Sequence, residues 1–288
     1  MLNVTQIHKG VHRADFTRKS YSDELTILNI SDVHFDSIKC DRELLHKHLT
    51  EAERLGAFVL INGDWFDLMQ GRYDPRGGKF EIRPEYKYAN YLDMVINDSA
   101  DYLSKFNLQY FIGQGNHETN ITKRLETNPS ERLVERLRFM GKNAHLGSYS
   151  GLIVFSLIGN GKSTSVTRLH YHHGAGGNAP RSKGIMSTDI DQMQHPDADI
   201  LTKGHDHNKW YLPVSVDRYR SDYKPIQSTV HHIRSGSYKI KDRLLGWEVE
   251  KGFRTPRLGG WWIGIKAVRK TEDGLRKLSN EVRVWEAY

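Results

Sequence analysis

The chain has 288 residues, 38% hydrophobic and 27% charged, which is enough apolar material for a packed core and excludes a disordered chain. Forty-two Lys and Arg against 35 Asp and Glu leave a net charge of +7 and a pI near 9.3, which favours anionic partners, nucleic acid first. Mean hydropathy is −0.64, and the best apolar run, 152–158, is far short of the ~20 residues of a spanning helix, so no membrane association is expected.

The first sixteen residues hold no apolar core of signal-peptide type. The lone Cys40 can build neither an internal disulfide nor a thiolate zinc site. Both features suit a cytoplasmic, reducing location. The anomaly is histidine. There are 15, several beside Asp, Asn or Gly, and imidazole is the commonest metal ligand.

In chain order, 25–31 reads as a short buried strand and 41–55 as a helix, with Asp41 able to cap it and Gly56 to stop it. A second strand covers 57–63. Apolar residues at Tyr88, Tyr91, Leu92, Val95, Ile96, Tyr102, Leu103 and Phe106 have helical spacing after Pro84, and 108–115 is a third strand. Asn128-Pro129-Ser130-Glu131 has the form of a cap, a first-turn proline and an N3 glutamate, opening a helix that Gly141 ends. Strands follow at 151–158, 165–173, 198–204, 231–240 and 259–270. A helix-poor C-terminal half points to a second sheet packed on the first. The stretches 70–84, 174–186 and 213–230 read as long loops. No repeat or linker is evident, so a single domain is expected over 1–288, with strands from about 231 to 288 completing the second sheet.

Polar residues follow five of these strands: Asp32-Val33-His34, Gly63-Asp64-Trp65-Phe66-Asp67, Gly115-Asn116-His117-Glu118, His172-His173-Gly174 and Gly204-His205-Asp206-His207. In open α/β sheets the carboxyl ends of strands converge on one edge, where ligands bind. Asp32 and His34, like His205 and His207, are two apart, so an extended chain would aim each pair one way. Carboxylate and imidazole without thiolate suit divalent Mn, Fe, Zn or Co. Asp32, His34, Asp64, Asn116, one of His172 and His173, His205 and His207 are more groups than one ion needs. They fit two ions ~3.5–4 Å apart, which clamp the attacking and leaving oxygens of an in-line displacement at phosphorus.

These blocks, in this order over residues 32–207, resemble the calcineurin-like metallophosphoesterase family. The resemblance implies an α/β fold, a four-layer α/β/β/α sandwich of two mixed sheets. It implies two divalent ions, Mn first, with Fe, Zn, Co or Ni as alternatives. Asp32, His34 and His207 would hold one; Asn116, His172 and His205 the other; Asp64 would bridge them. The family's His-x-Gly form favours His172, whereas a direct His-Gly reading favours His173. His117 would act at the leaving oxygen as general acid or stabiliser, Glu118 would orient it, and Asp67 would support a ligand.

The implied function is a metal-dependent phosphoesterase acting on phosphate esters. The pI and the residues Arg72, Arg76, Lys79, Arg83, Arg181, Lys183, Arg218, Arg220 and Lys224 favour a polyanion, hence a phosphodiesterase or nuclease on nucleic acid or nucleotides. The alternatives are a phosphomonoesterase and a non-catalytic scaffold on the same fold. The protein phosphatase branch has a longer third block with Arg, and the lipid branch has Arg in place of His117, so both fit less well. Elsewhere, His46 and His48 read as surface residues, His231-His232 as packed or solvated, Trp247, Trp261 and Trp262 as sheet packing, and Cys40 as inert. Gly159 to Ser163 reads as a hairpin turn, since Ser156 stands where a phosphate loop needs its first glycine.

Overall fold

The structure is a computed structural model. It describes residues 2–68, 81–159, 164–176, 184–219, 223, 225–240, 257–272 and 275–288. The elements are β1 (Leu2–His8), β2 (Val11–Thr17), β3 (Glu24–Ile30), α1 (Arg42–Leu55), β4 (Phe58–Ile61), α2 (Tyr91–Ser104), β5 (Gln109–Ile112), α3 (Asn116–Leu125) and α4 (Pro129–Phe139). They continue with β6 (Asn143–Leu146), β7 (Ser150–Ile158), β8 (Thr164–His172), α5 (Thr188–Gln194), β9 (Ile200–Lys203), β10 (Trp210–Tyr219), β11 (Pro225–Arg234), β12 (Trp261–Glu272) and β13 (Leu275–Glu286).

Two mixed sheets stack face to face. One has the order β13-β12-β3-β4-β5-β6, the other β1-β2-β7-β8-β9-β11-β10. β3 to β6 are parallel, and β12 and β13 add antiparallel to β3. The C-terminal strands therefore divide. β12 and β13 extend the first sheet rather than completing the second, while β11 lies in the second beside β9. The second sheet instead gains β1 and β2, and 213–230 forms most of the β10–β11 hairpin rather than a loop.

Period-two alternation explains the layering. β4 is buried throughout: Phe58 and Leu60 enter the core between the sheets, Val59 and Ile61 the core under the helices. The inter-sheet core adds Ile27, Phe111, Phe155 and Leu169; the helix-side core adds Leu45 and Leu49 of α1, Val95 of α2 and Leu133 of α4. On the far face, among the described residues, the fourth layer is the short α5, tied down by Asp191 to Lys203 and by Gln192 to His232.

Local signals set the helix ends. Asp41 accepts from the Leu44 amide, and Gly56 closes α1 at φ 61°. Asn128 accepts from Ser130 and Glu131 ahead of Pro129. Pro84 opens a single 3-10 turn, Pro84–Tyr86, and α2 starts only at Tyr91. β7 and β8 pair from Ile158↔Thr164 onward, so the segment read as a hairpin turn does join antiparallel strands, although 160–163 lie outside the described residues. Trp261 and Trp262 are buried in the sheet; Trp247 lies outside the described residues. Cys40 is buried, and burial pushes its thiol up to about 12.

His48 is a correction. It lies on the buried face of α1, with Nδ1 2.6 Å from the Tyr238 hydroxyl, while His46 is exposed. Burial, assisted by Lys209, pushes His48 down to about 4; burial does the same to His145 and His231. Unfolded, each titrates near ~6.5. Between those values the unfolded chain binds protons the folded chain does not, so stability falls as pH drops through this window. With a chelator present, the urea midpoint is expected to be lower at pH 5 than at pH 7, and His48→Gln to reduce that drop. An equal drop in the variant would refute the assignment to His48. Phe155, fully buried and edge-on to Phe58 at 6.1 Å, carries the inter-sheet packing. Phe155→Ala is expected to cost ~3–5 kcal/mol in urea unfolding, against within ~0.5 kcal/mol for Phe139→Ala, whose side chain is 90% exposed.

Candidate metal centre

The loops after β3 and β4 are zipped together by main-chain bonds: Asp32 donates to Gly63 (3.1 Å), His34 to Asp64 (3.1 Å) and Phe35 to Trp65 (2.8 Å). Asp32, His34, Asp64, His205 and His207 all adopt left-handed backbone, with φ between 49° and 74°. This replaces the extended geometry expected for the two-apart pairs. Such conformations cost ~1–3 kcal/mol each and cluster where surroundings over-determine them. Two glycines allow the close approach. A Cβ on Gly115 would lie 2.5 Å from the Asp64 amide nitrogen, and one on Gly204 would lie 2.5 Å from Asp32 Oδ2.

The side chains converge in three overlapping groups, with one nitrogen or oxygen of each residue within 4.8 Å of the others: Asp32, His34 and His207; His34, Asp64 and His117; Asp64, His173 and His205. In the first, His34 Nε2 is 3.3 Å from His207 Nε2, which is 3.4 Å from Asp32 Oδ1. In the third, His173 Nε2 is 3.1 Å from Asp64 Oδ2 and 3.2 Å from Asn116 Oδ1, and Asn116 Oδ1 is 2.7 Å from His205 Nδ1. Asp64 stands between, its Oδ2 3.7 Å from His117 Nε2.

His173, not His172, joins this cluster. β8 buries Ser165, Thr167, Leu169 and Tyr171 toward the other sheet, and His173 continues that parity. His172 has the opposite parity. It accepts from the Gly174 amide and stands near Lys203 and Asp191 on the α5 side. The alternation of Leu169 and Tyr171 was the sequence signal that separates the two.

Glu118 also differs from expectation. Its carboxylate accepts from the amides of Asp64 (3.1 Å), Phe66 (3.0 Å) and Gly115 (2.8 Å), so it locks the β4 loop to the start of α3. The His117 ring is instead held at Nδ1 by the Asp67 carbonyl, with the Asp67 carboxylate 3.9 Å away. Asp67 takes His34 Nδ1 at 2.8 Å and Lys239 Nζ at 3.2 Å; Lys239 also pairs with Glu81 at 2.7 Å. Asp36 binds the amides of Asp67 (2.6 Å) and Leu68 (3.0 Å) and the Tyr91 hydroxyl. Ser237 and Tyr238 both donate to the Asp32 carbonyl. Nothing in the sequence marked Lys239, Ser237 or Tyr238.

The electrostatics demand positive charge. Burial opposes ionisation of Asp32, but His207 and His173 hold it at about 2. Asp64 and Asp67 are likewise held low against burial, by His173 and His117 and by His34 and Lys239. Burial pushes His34 down to about 4, whereas His173, against its own burial, is drawn up to about 10 by Asp64 and Asp32. Burial and Asp64 raise Glu118 to about 7. Asp32 Oδ1 is buried with no well-formed hydrogen bond. A buried set of carboxylates, imidazoles and one amide oxygen, short of positive charge, fits divalent cations of the Mn, Fe, Zn or Co type.

The sequence profile of the calcineurin-like phosphoesterases matches residues 25–254, and the chain belongs to that family. A search of curated proteins finds no match. Among solved structures the chain is similar to zinc-complexed wild-type Vps29 from Entamoeba histolytica, at 14% identity over 90% of this chain and 99% of that one, TM-score 0.37. It is also similar to a predicted phosphoesterase from Streptococcus pneumoniae (12%, 90% and 99%, TM-score 0.33) and to GAP50, the anchor in the inner membrane complex of Plasmodium (13%, 88% and 86%, TM-score 0.41). Identities and TM-scores this low carry no argument about activity. No helix of the described residues is long and apolar enough to cross a membrane.

His173→Ala is expected to lose about one equivalent of bound Mn after dialysis, read by elemental analysis, and His172→Ala to keep the wild-type content. Equal metal content in the two variants would count against the parity assignment.

Proposed function

We propose that the protein is a metal-dependent hydrolase of phosphate esters that prefers phosphodiesters in nucleic acid or nucleotides. The observation that carries this reading is the convergence of two donor groups, Asp32/His34/His207 and Asn116/His173/His205, about Asp64, with His117 beside them. Two divalent cations held there, Mn first, would neutralise phosphoryl oxygens and bring the pKa of water toward ~7.

The chain's own groups supply the rest. Asp67 fixes both imidazoles that flank Asp64 on this side: its carboxylate orients His34 and its carbonyl orients His117. With Nδ1–H donated to that carbonyl, His117 carries its ring lone pair at Nε2, 3.7 Å from Asp64 Oδ2. Protonated there, it can donate to a leaving oxygen as negative charge develops. Glu118 and Asp36 hold the loop carrying Asp64 and Asp67 in register, so the reacting groups need not reorganise.

The diester preference draws its support from the net charge of +7. Two of the basic residues first counted toward it are committed internally. Arg83 binds the carbonyls of Ser37 and Cys40, and Arg218 binds Asp199 and the Ala198 carbonyl. Arg72, Arg76, Lys79, Arg181, Lys183, Arg220 and Lys224 lie outside the described residues.

Asp64→Ala is expected to abolish turnover of bis-p-nitrophenyl phosphate and lower metal content; wild-type turnover by the metal-replete variant would refute the shared role of Asp64. His117→Ala is expected to keep its metal and lose ~10²–10⁴ in kcat, least for p-nitrophenyl and most for alkyl leaving groups. Cleavage of p-nitrophenyl phosphate alone, with bis-p-nitrophenyl phosphate, DNA, RNA and cyclic nucleotides untouched, would overturn the diester preference.

A further inference from the structure

At the end of the second sheet away from the metal centre, β9 is too short for its neighbours. It pairs in parallel with β8 only from Leu169↔Ile200 to His172↔Lys203, and with β11 only from His231↔Ile200 to Arg234↔Lys203. β8 begins five residues earlier, at Thr164, and β11 six earlier, at Pro225. Their outer edges are occupied, by β7 and β10, along that whole length. Their inner edges face each other with no ladder between residues 164–167 and 225–230 among the described residues. The head of the gap is closed where Asp199 leaves it: its amide donates to the Arg168 carbonyl, and its carbonyl accepts from His231.

This gap is a cleft of about 590 Å³, walled by 164–168 and 226–229 and floored by 278–282 of β13. Two strands flanking a missing third stand ~9.6 Å apart, and five residues of strand run ~16 Å. Two strand edges that no ladder joins among the described residues form a template for one more strand. Ser165, 5% exposed, leaves its Oγ without a partner, as does Oδ1 of Asn280, whose Nδ2 donates to Thr167 at 2.6 Å. The charges at the head are spent on each other: Arg218 Nη1 is 2.7 Å from Asp199 Oδ1, and Asp199 Oδ2 takes the Arg168 amide at 2.8 Å.

We propose that this slot binds an extended, uncharged peptide segment of a partner protein, which runs parallel to β8 and β11 and prolongs the line of β9. Parity sets its chemistry. Side chains turned toward β13 meet Ser165, Thr167 and Asn280 and must be small and polar. Those turned outward meet Val166, which is 41% exposed, and the half-buried Ile226, which shares the outward parity of Val230, and must be apolar. The segment is therefore an alternation of Thr or Ser with Val or Ile. Both ladders would form at once, so recognition lies in the main chain and the alternation gives specificity.

The test is residue-resolved amide hydrogen exchange on the full chain. It does not depend on the metal centre, so its outcome and that of the hydrolase reading are separate. The probe is a peptide of about five alternating Thr and Val residues with flanking lysines for solubility, and its control is the same peptide N-methylated at alternate residues. In the free protein, slot-side amides among 164–167 and 226–230 are expected to exchange faster than amides of the β8–β9–β11 ladders. At millimolar peptide they are expected to slow about tenfold or more, with no effect from the methylated control. Three outcomes would overturn the proposal: slot-side amides already protected in dilute free protein, protection that grows with protein concentration and so assigns the slot to a second copy, or equal effects of the two peptides.

Discussion

Everything at the candidate metal centre follows from burying three carboxylates, Asp32, Asp64 and Asp67, at the ends of buried strands. Burying a lone carboxylate is costly, so each must be met by positive charge or by hydrogen-bond donors. Lys239 and His34 answer for Asp67. Asp32 accepts from the His205 amide (2.9 Å) and Asp64 from the His117 amide (3.0 Å), and among the described residues the side chains that face these two carboxylates are imidazoles. Asp64 and Asp32 draw the His173 proton up to about 10, against the ring's own burial. A divalent cation held by these residues would meet the same demand with greater charge, in place of that proton.

Holding that arrangement requires the backbone to pay. Five donor residues sit in left-handed conformations that L-residues disfavour. The strain is borne by main-chain contacts rather than by the ligands: the zipper between the β3 and β4 loops, the three amides bound by Glu118, the two bound by Asp36, and the two donors from Ser237 and Tyr238 on the Asp32 carbonyl. Beneath them Asn29 reaches from the first sheet to Thr202 (2.7 Å) and Ser235 (2.9 Å) in the second. That buried amide couples the sheets directly under the site, so the two halves of the donor set keep a fixed spacing.

Much of this was legible in the residues. The strands before each polar block, the capped helices α1 and α4 and the five blocks themselves are local patterns, and local patterns survive folding. What was hidden depends on pairing. The β10–β11 hairpin reads as loop because its alternation is half exposed and interrupted by Pro213. α3 is masked because its first residues are chosen for chemistry, so only His117, Glu118 and Ile121 are buried along it. β12 and β13 join the first sheet through pairing with β3 more than two hundred residues upstream, which periodicity cannot reveal. Lys239 and Tyr238 reach the site from the segment after β11 by the same long-range route.

The choice between His172 and His173 shows how far parity alone can go. A motif places a histidine near a glycine and leaves its direction open. A strand does not: each step of one residue moves a side chain to the opposite face. Because Leu169 and Tyr171 are apolar and point to the core between the sheets, the imidazole two positions on must point there as well, where Asp64 and Asn116 wait. His172 is then committed to the α5 face, whatever its resemblance to a motif. The same rule separates the inward Ser165 and Thr167 from the outward Val166 at the other end of β8, so one strand's alternation governs both a candidate metal donor and the walls of a cleft.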